Sequence, residues 1–239
     1  MPFIKEHKLV FQHLPKTAGT SVCDFFNVDT VGHQHGKYYI KKLKQMGGNW
    51  REWVAFTIVR HPVDRFVSAW QMYKELDVKN VRPGTEKFVA VKQKYEEYFR
   101  HDSVNEFVEG LREAGNPGLL QHQDAYHFWS IISFVATAKN NNQGSKIVTL
   151  DNPKEEDLDF FFPLLVLKHD RLEEDFEALS KIIGFKNNGL RRMNSNSNKS
   201  EELIANLSPL TIATLQNTYA IDFRVINKML SQGHVSLFL

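Results

Sequence analysis

The sequence is short of the features that usually place a protein from outside. It holds one cysteine, Cys23, so no disulfide forms within the chain and nothing marks an oxidising compartment. No stretch approaches the roughly 20 apolar residues that span a bilayer. The opening residues, Met1-Pro2-Phe3-Ile4-Lys5-Glu6-His7-Lys8, put charges where a signal peptide keeps its apolar segment. The expectation is a cytoplasmic chain, or one trimmed from a longer protein. The formal net charge is only +2, too small to steer the whole molecule toward nucleic acid or an anionic membrane. Any anion site must therefore be local. No internal repeat and no long linker interrupts the 239 residues, which suit one large domain, 1–239. The 18 phenylalanines point to an aromatic-rich interior.

The first informative pattern lies in residues 8–27. Lys-Leu-Val-Phe-Gln-His-Leu is followed by Pro15-Lys16-Thr17-Ala18-Gly19-Thr20-Ser21 and then by Val22-Cys23-Asp24-Phe25-Phe26-Asn27. The apolar run predicts a buried strand over 8–14, and the last part a helix over 20–27. A strand, a small-residue loop and a helix start together make an anion site, with backbone N–H groups pointing outward. Lys16 supplies charge, Gly19 lets backbone approach a ligand, and Thr17, Thr20 and Ser21 supply donors. The usual nucleotide loop ends in Gly-Lys-Ser/Thr, whereas here Lys16 precedes Gly19. An ordinary βα turn closed by a Thr or Ser cap has the same local look. Cys23 is either a thiol near a helix start or a small buried filler.

A second pattern strengthens the first. Trp53-Val54-Ala55-Phe56-Thr57-Ile58-Val59-Arg60 runs into His61-Pro62-Val63-Asp64-Arg65-Phe66-Val67-Ser68-Ala69-Trp70. This predicts a strand over 53–59 and a helix over 62–76, with Pro62 in its first turn. Arg60 closes the strand and Ser68 follows eight residues later. Ligands of open α/β sheets bind beyond the carboxyl ends of strands, so two neighbouring strands would bring Lys16 and Arg60 to one crevice.

The pair of motifs resembles the sulfotransferase superfamily that uses 3′-phosphoadenosine 5′-phosphosulfate (PAPS). The resemblance implies that Lys16, Thr17, Ala18, Gly19, Thr20 and Ser21 hold the 5′-phosphosulfate and that Arg60 and Ser68 hold the 3′-phosphate. Other segments resemble the carbohydrate O-sulfotransferase branch: Asn105-Glu106-Phe107-Val108, Leu120-Gln121-His122-Gln123, the run from His169 to Phe176, and Tyr219-Ala220-Ile221-Asp222-Phe223. The implied fold is α/β, a single domain with a mainly parallel sheet flanked by helices, like that of the phosphate-loop NTPases. The implied reaction moves a sulfuryl group from PAPS to a hydroxyl acceptor, on a saccharide, with no metal. A phosphate-loop kinase would instead want the Gly-Lys-Ser/Thr ending and an Asp after the second strand. A non-catalytic nucleotide-binding module is the other rival.

Gly32-His33-Gln34-His35-Gly36-Lys37 follows the first loop closely. Two histidines two residues apart share a side if the chain is extended. The His-x-His resembles the pair in uronic acid 2-O-sulfotransferases, which implies a base for the acceptor hydroxyl, with His35 as base and His33 as its support. A solvated loop, or a metal site completed by His122, would use the same residues differently. Downstream, the pattern predicts a helix near 85–99 with Lys87, Lys92 and Lys94 on a solvated face, the alternative being a rim for an acidic acceptor. It predicts a second helix to 113 capped by Ser103 and Glu106. The segment 119–135 could line an acceptor groove or the core. Strands follow at 146–150 and 164–167. A helix over 170–183 carries acidic residues on a solvated face. A basic loop over 187–200 is either flexible surface or, as the resemblance implies, a cover over the nucleotide with Arg192 and Lys199 as candidate contacts, and a last helix covers 209–230.

Overall fold

A computed structural model describes residues 3–29, 32–34, 36–47, 49, 52–81, 83–115, 118–121, 123–138, 158–160, 164–191 and 197–238. His35, His122, Arg192 and the strand expected over 146–150 lie outside them. The strands are β1 (Phe3–Ile4), β2 (Leu9–Gln12), β3 (Val54–Val59), β4 (Ala136–Ala138), β5 (Leu158–Phe160) and β6 (Leu164–Lys168). The helices up to the middle of the chain are α1 (Gly19–Phe25), α2 (Gly36–Gln45), α3 (Pro62–Glu75), α4 (Glu86–Lys94), α5 (Glu96–Phe99), α6 (Val104–Glu113) and α7 (Gly118–Gln121). Then follow α8 (Ile132–Val135), α9 (Leu172–Ile183), α10 (Ser197–Ala205), α11 (Pro209–Thr218) and α12 (Ala220–Gly233). The chain divides into two compact units. Met1–Arg60, Ser130–Asn194 and Ile221–Leu239 form the first; His61–Trp129 and Ser195–Ala220 form the second.

The first unit carries the sheet, in the order β1-β2-β3-β6. β1 is antiparallel to β2, while β2, β3 and β6 run parallel. This is the α/β, mainly parallel architecture that the sequence predicts. β2 and the inner five residues of β3 are buried throughout, as strands covered on both faces must be. Because side chains alternate along a strand, Leu9 and Phe11 enter one core with Phe56, Ile58, Leu167 and Phe176. Phe25, Phe26, Phe176 and Phe185 join that core as a cluster, with ring centroids 4.9–5.9 Å apart in every pairing. Each such side chain contributes on the order of 1.5–3 kcal/mol by burial. On the other face Gln12 donates to the Phe134 carbonyl at 2.6 Å, tying β2 to α8.

α9 ends at Gly184, which sits at φ 83 as a left-handed cap. Its acidic side is not wholly solvated, which corrects the expectation. Glu173 and Glu174 are exposed, but Asp175 is 3% exposed. Asp175 accepts from the Lys168 amide at 2.7 Å and pairs with His234 Nε2 at 3.0 Å, while His234 Nδ1 meets Ser236 Oγ at 2.7 Å. These bonds fasten the C-terminal turn to the end of β6. Asp222 on α12 is likewise buried, receiving the Ser130 hydroxyl and, at 3.2 Å, the Ile131 amide.

The second unit is helical, with α10 and α11 packed on α3. On α3, Val63, Phe66, Val67 and Trp70 are buried. Ser103 and Glu106 form the predicted capping box. Three expectations change. The helix near 85–99 breaks at Tyr95 into α4 and α5. Lys92 does not belong to a solvated face: its ammonium donates to the Lys74 and Leu76 carbonyls at 2.8 and 2.7 Å. It thereby caps the C-terminal end of α3, where cations are favoured. The last helix is two, α11 and α12, because Tyr219 leaves helical geometry at φ −108. The Tyr219 hydroxyl donates to the Phe128 carbonyl at 2.6 Å, and Leu210 is exposed. Phe128 is core, at 1% exposure, and Tyr126 and Trp129 are half-buried.

Candidate functional site

β2 and β3 are adjacent and parallel, with Gln12 opposite Thr57, so the loops that follow them emerge side by side. The first runs from His13 to Ala18 and enters α1 at Gly19. Within it Lys16 (φ 64) and Ala18 (φ 66) are left-handed, and Thr17 between them is not. Non-glycine residues rarely hold that conformation, and it clusters at functional sites. Backbone that alternates with left-handed residues is the conformation in which successive N–H groups form concave nests. The Thr17 hydroxyl donates to the Leu14 carbonyl at 3.0 Å, closing the turn, so its hydroxyl is committed to the loop. Ser21 and Val22 amides both donate to the Ala18 carbonyl, at 3.1 and 3.3 Å. Ser21 is buried and Thr20 exposed. α1 has only seven residues, so the loop amides, more than a long helix dipole, supply positive potential.

Arg60 leaves the end of β3 and donates from Nη1 to the Lys16 carbonyl at 3.3 Å. The two cationic residues singled out from the motifs are thus joined directly. Ser68 lies on α3 in the second unit and is half-buried. Lys199 is exposed on α10, in the second unit as well, 3.8 Å from Glu75. The stretch 197–200, expected as loop, belongs to that helix.

His33 is half-buried beside the loop, with Nδ1 at 3.2 Å from the His13 carbonyl. A carbonyl only accepts, so Nδ1 carries the proton there and a neutral His33 keeps its lone pair on Nε2. His13 itself was missed by motif reading. Alternation along β2 extends to it and puts it on the face of Leu9 and Phe11, which is the signal that could have found it. Its ring stacks on Phe11 at 5.4 Å and meets the His33 ring at 4.2 Å. Burial chiefly, and then His33, hold its pKa well below the ordinary value. A side-chain carbon built onto Gly19 would lie 1.7 Å from His13 Nε2. Gly19 is therefore glycine because His13 occupies the space a side chain would need. Cys23 is a buried filler whose pKa is raised by burial. The helix α2, not anticipated, closes this side with Tyr39 and Leu43, both fully buried. A surface depression of about 490 Å³ lies along Ile40, Lys41, Lys44 and Gln45 on α2, away from the loop residues.

A profile of the Sulfotransferase family matches residues 3–227. The chain belongs to the sulfotransferase family. No curated protein and no solved structure matches it. Sulfuryl transfer is accordingly the reaction class of this sulfotransferase, and both signature motifs fall inside the matched span. Among the described residues no group of three or more His, Cys, Asp or Glu is arranged to hold a metal, and no helix is long and apolar enough to cross a membrane.

Proposed function

We propose that this sulfotransferase moves the sulfuryl group of PAPS to a hydroxyl of a carbohydrate acceptor, in the cytoplasm and without a metal. One observation carries the donor assignment: Arg60, from the end of β3, reaches across to the carbonyl of Lys16 in the left-handed loop after β2. The residues suit an anionic nucleotide, since the loop that carries Lys16 and the Arg60 guanidinium meet at one sheet end. Bound PAPS would supply the sulfuryl group and a bisphosphate that departs as the group is transferred. Lys16 would neutralise the charge that gathers on the departing oxygen, and the amides of Thr17, Ala18 and Gly19, with Thr20 and Ser21, would hold the 5′ end. Such preorganised donors act where charge develops. Arg60 would hold the 3′-phosphate by charge-assisted hydrogen bonds, with Ser68 assigned to the same group by its spacing in the motif.

His33 and His35 are the candidate bases. The lone pair on His33 Nε2 suits removal of the acceptor proton, and His35 is kept from the sequence motif. The carbohydrate assignment rests on the resemblance of the later segments to the carbohydrate O-sulfotransferase branch. The family match runs through residues of both units, which supports reading 1–239 as one sulfotransferase domain.

The test is calorimetric titration with 3′-phosphoadenosine 5′-phosphate, beside ATP with Mg²⁺, on wild type and Arg60→Ala. The expected result is metal-independent binding of the bisphosphate, weakened in the variant by about 1.5–3 kcal/mol, the loss of hydrogen bonds to a charged group. Mg²⁺-dependent ATP binding with no response to the bisphosphate would overturn the proposal. Acceptor screening with His33→Asn and His35→Asn would follow. The variant lacking the base loses on the order of 10²–10⁴-fold in turnover.

A further inference from the structure

His13 sits beneath the loop with a chemistry that the proposed reaction does not use. It is 8% exposed, and its Nδ1 is buried without a hydrogen-bond partner among the described residues. Buried polar atoms are nearly always paired, so an orphan asks for an explanation. Two aromatic neighbours, Phe11 and His33, wall the ring, and its Nε2 edge lies against Gly19, where the nest passes into α1. The titratable groups that bear on it are His33 from the segment before α2 and Tyr39 from α2, and the loop it underlies carries Lys16, whose carbonyl Arg60 holds. A buried imidazole in such company is neutral. It is also next to the place where the donor's negative charge would arrive, in surroundings that screen charge poorly.

We infer that His13 is the proton acceptor of the donor site: when anionic groups of the nucleotide occupy the loop, the His13 imidazole takes one proton from solvent. The step forms an N–H bond on the ring, converting imidazole to imidazolium, and the buffer loses that proton. The inference rests on the donor-site reading above and adds a regulation to it, because donor affinity then strengthens as pH falls toward neutrality. It also gives a role to a strand-end histidine packed tightly against the loop with no hydrogen-bond partner for its Nδ1 among the described residues.

The experiment is titration of 3′-phosphoadenosine 5′-phosphate into wild type at pH 7.5, in two buffers of different ionisation enthalpy. The difference in observed heat counts protons. Wild type is expected to take up close to one proton, with affinity falling by up to tenfold per pH unit above neutrality. The phosphate's own second ionisation, near pH 6, would release protons and has the opposite sign. His13→Gln is expected to bind with the uptake gone, and His33→Gln to retain it. Nitrogen-15 spectra of wild-type histidines supply an independent reading if His13→Gln does not fold. The ring in contact with Gly19 protons should change from the neutral to the charged pattern when bisphosphate is added. Binding without proton uptake, uptake that persists in His13→Gln, or a Gly19-contacting ring that stays neutral would each overturn the inference. Failure of wild type to bind the bisphosphate at all would overturn the donor-site reading, and the inference with it.

Discussion

Gly19→Ala isolates the packing beneath the loop. Gly19 has no left-handed φ, so alanine suits its backbone. At a helical position alanine is favoured over glycine by about 1 kcal/mol. Considered alone, that makes the substitution stabilising. Sterics oppose it. The new carbon would stand 1.7 Å from His13 Nε2, 2.0 Å from Cδ2 and 2.4 Å from Cε1, against a floor of 3.0 Å for real contacts. The whole imidazole edge must retreat by more than an ångström, and Phe11 and His33 already stand on it. Overpacking costs about 1–3 kcal/mol, and a retreat of more than an ångström belongs to the upper part of that range, about 2–3 kcal/mol, which outweighs the propensity gain. We expect Gly19→Ala to be less stable than wild type by about 1–2 kcal/mol in chemical denaturation. Removing the ring should relieve it: in the cycle with His13→Ala, the double variant should be more stable than additivity predicts by at least about 1 kcal/mol. Bisphosphate affinity should fall in the Gly19→Ala single variant, because the ring can yield only by moving the loop. A Gly19→Ala protein as stable as wild type, or effects that simply add, would refute the account of this glycine.

Three further outcomes are expected. Asp175→Ala should cost about 3 kcal/mol, since it strips a buried pair from His234 and an acceptor from Lys168, whereas Glu173→Ala on the exposed side of α9 should stay within about 0.5 kcal/mol; equal effects in denaturation would contradict the clamp. Lys92→Met should lose about 1–2 kcal/mol by leaving the Lys74 and Leu76 carbonyls uncapped, and Lys94→Met, whose ammonium lies over the Tyr95 ring at 5.4 Å, should lose less than about 1 kcal/mol. Stability should also decline as pH falls through about 6.5, the ordinary histidine value. The unfolded His13 takes a proton there while the native ring, with its lowered pKa, refuses it, so the unfolded state binds more protons. The decline ends once the native ring is protonated, and His13→Gln should flatten its share of the slope in pH-dependent denaturation.

The parts of the fold legible in the sequence are those governed by local signals. β2 and β3 were visible as apolar runs. α3 was announced by Pro62, and α6 by Ser103 and Glu106. Adjacent parallel strands then followed from the motif order, and with them the meeting of Lys16 and Arg60. What escaped depends on contacts across the chain. Asp175 reads as one more acid on a charged helix until His234, 59 positions away, turns it inward. Lys92 reads as a surface lysine until the carbonyl end of α3 is set before it. The break at Tyr219 has no glycine or proline to announce it; the phenol bond to the Phe128 carbonyl is formed only in the folded unit.

The loop itself shows why motif and mechanism are separate kinds of information. Its residues suggest that Gly19 is small so that a ligand can approach, and that the hydroxyls of Thr17, Thr20 and Ser21 form one set of donors. In the structure the glycine makes room for His13, and the Thr17 hydroxyl is spent on Leu14. The anion binding proposed for the loop would rest instead on backbone, on the two left-handed residues Lys16 and Ala18 that the turn holds in place. Arg60 bears on both tasks. A guanidinium has five N–H donors in a fixed fork, and in Arg60 one of them holds the Lys16 carbonyl and so ties the turn to the end of β3. Replacing Arg60 should therefore loosen the nest as well as remove a charge. The signature of that double role is that Arg60→Lys, which keeps the charge but not the fork, recovers less than half of the binding free energy lost in Arg60→Ala.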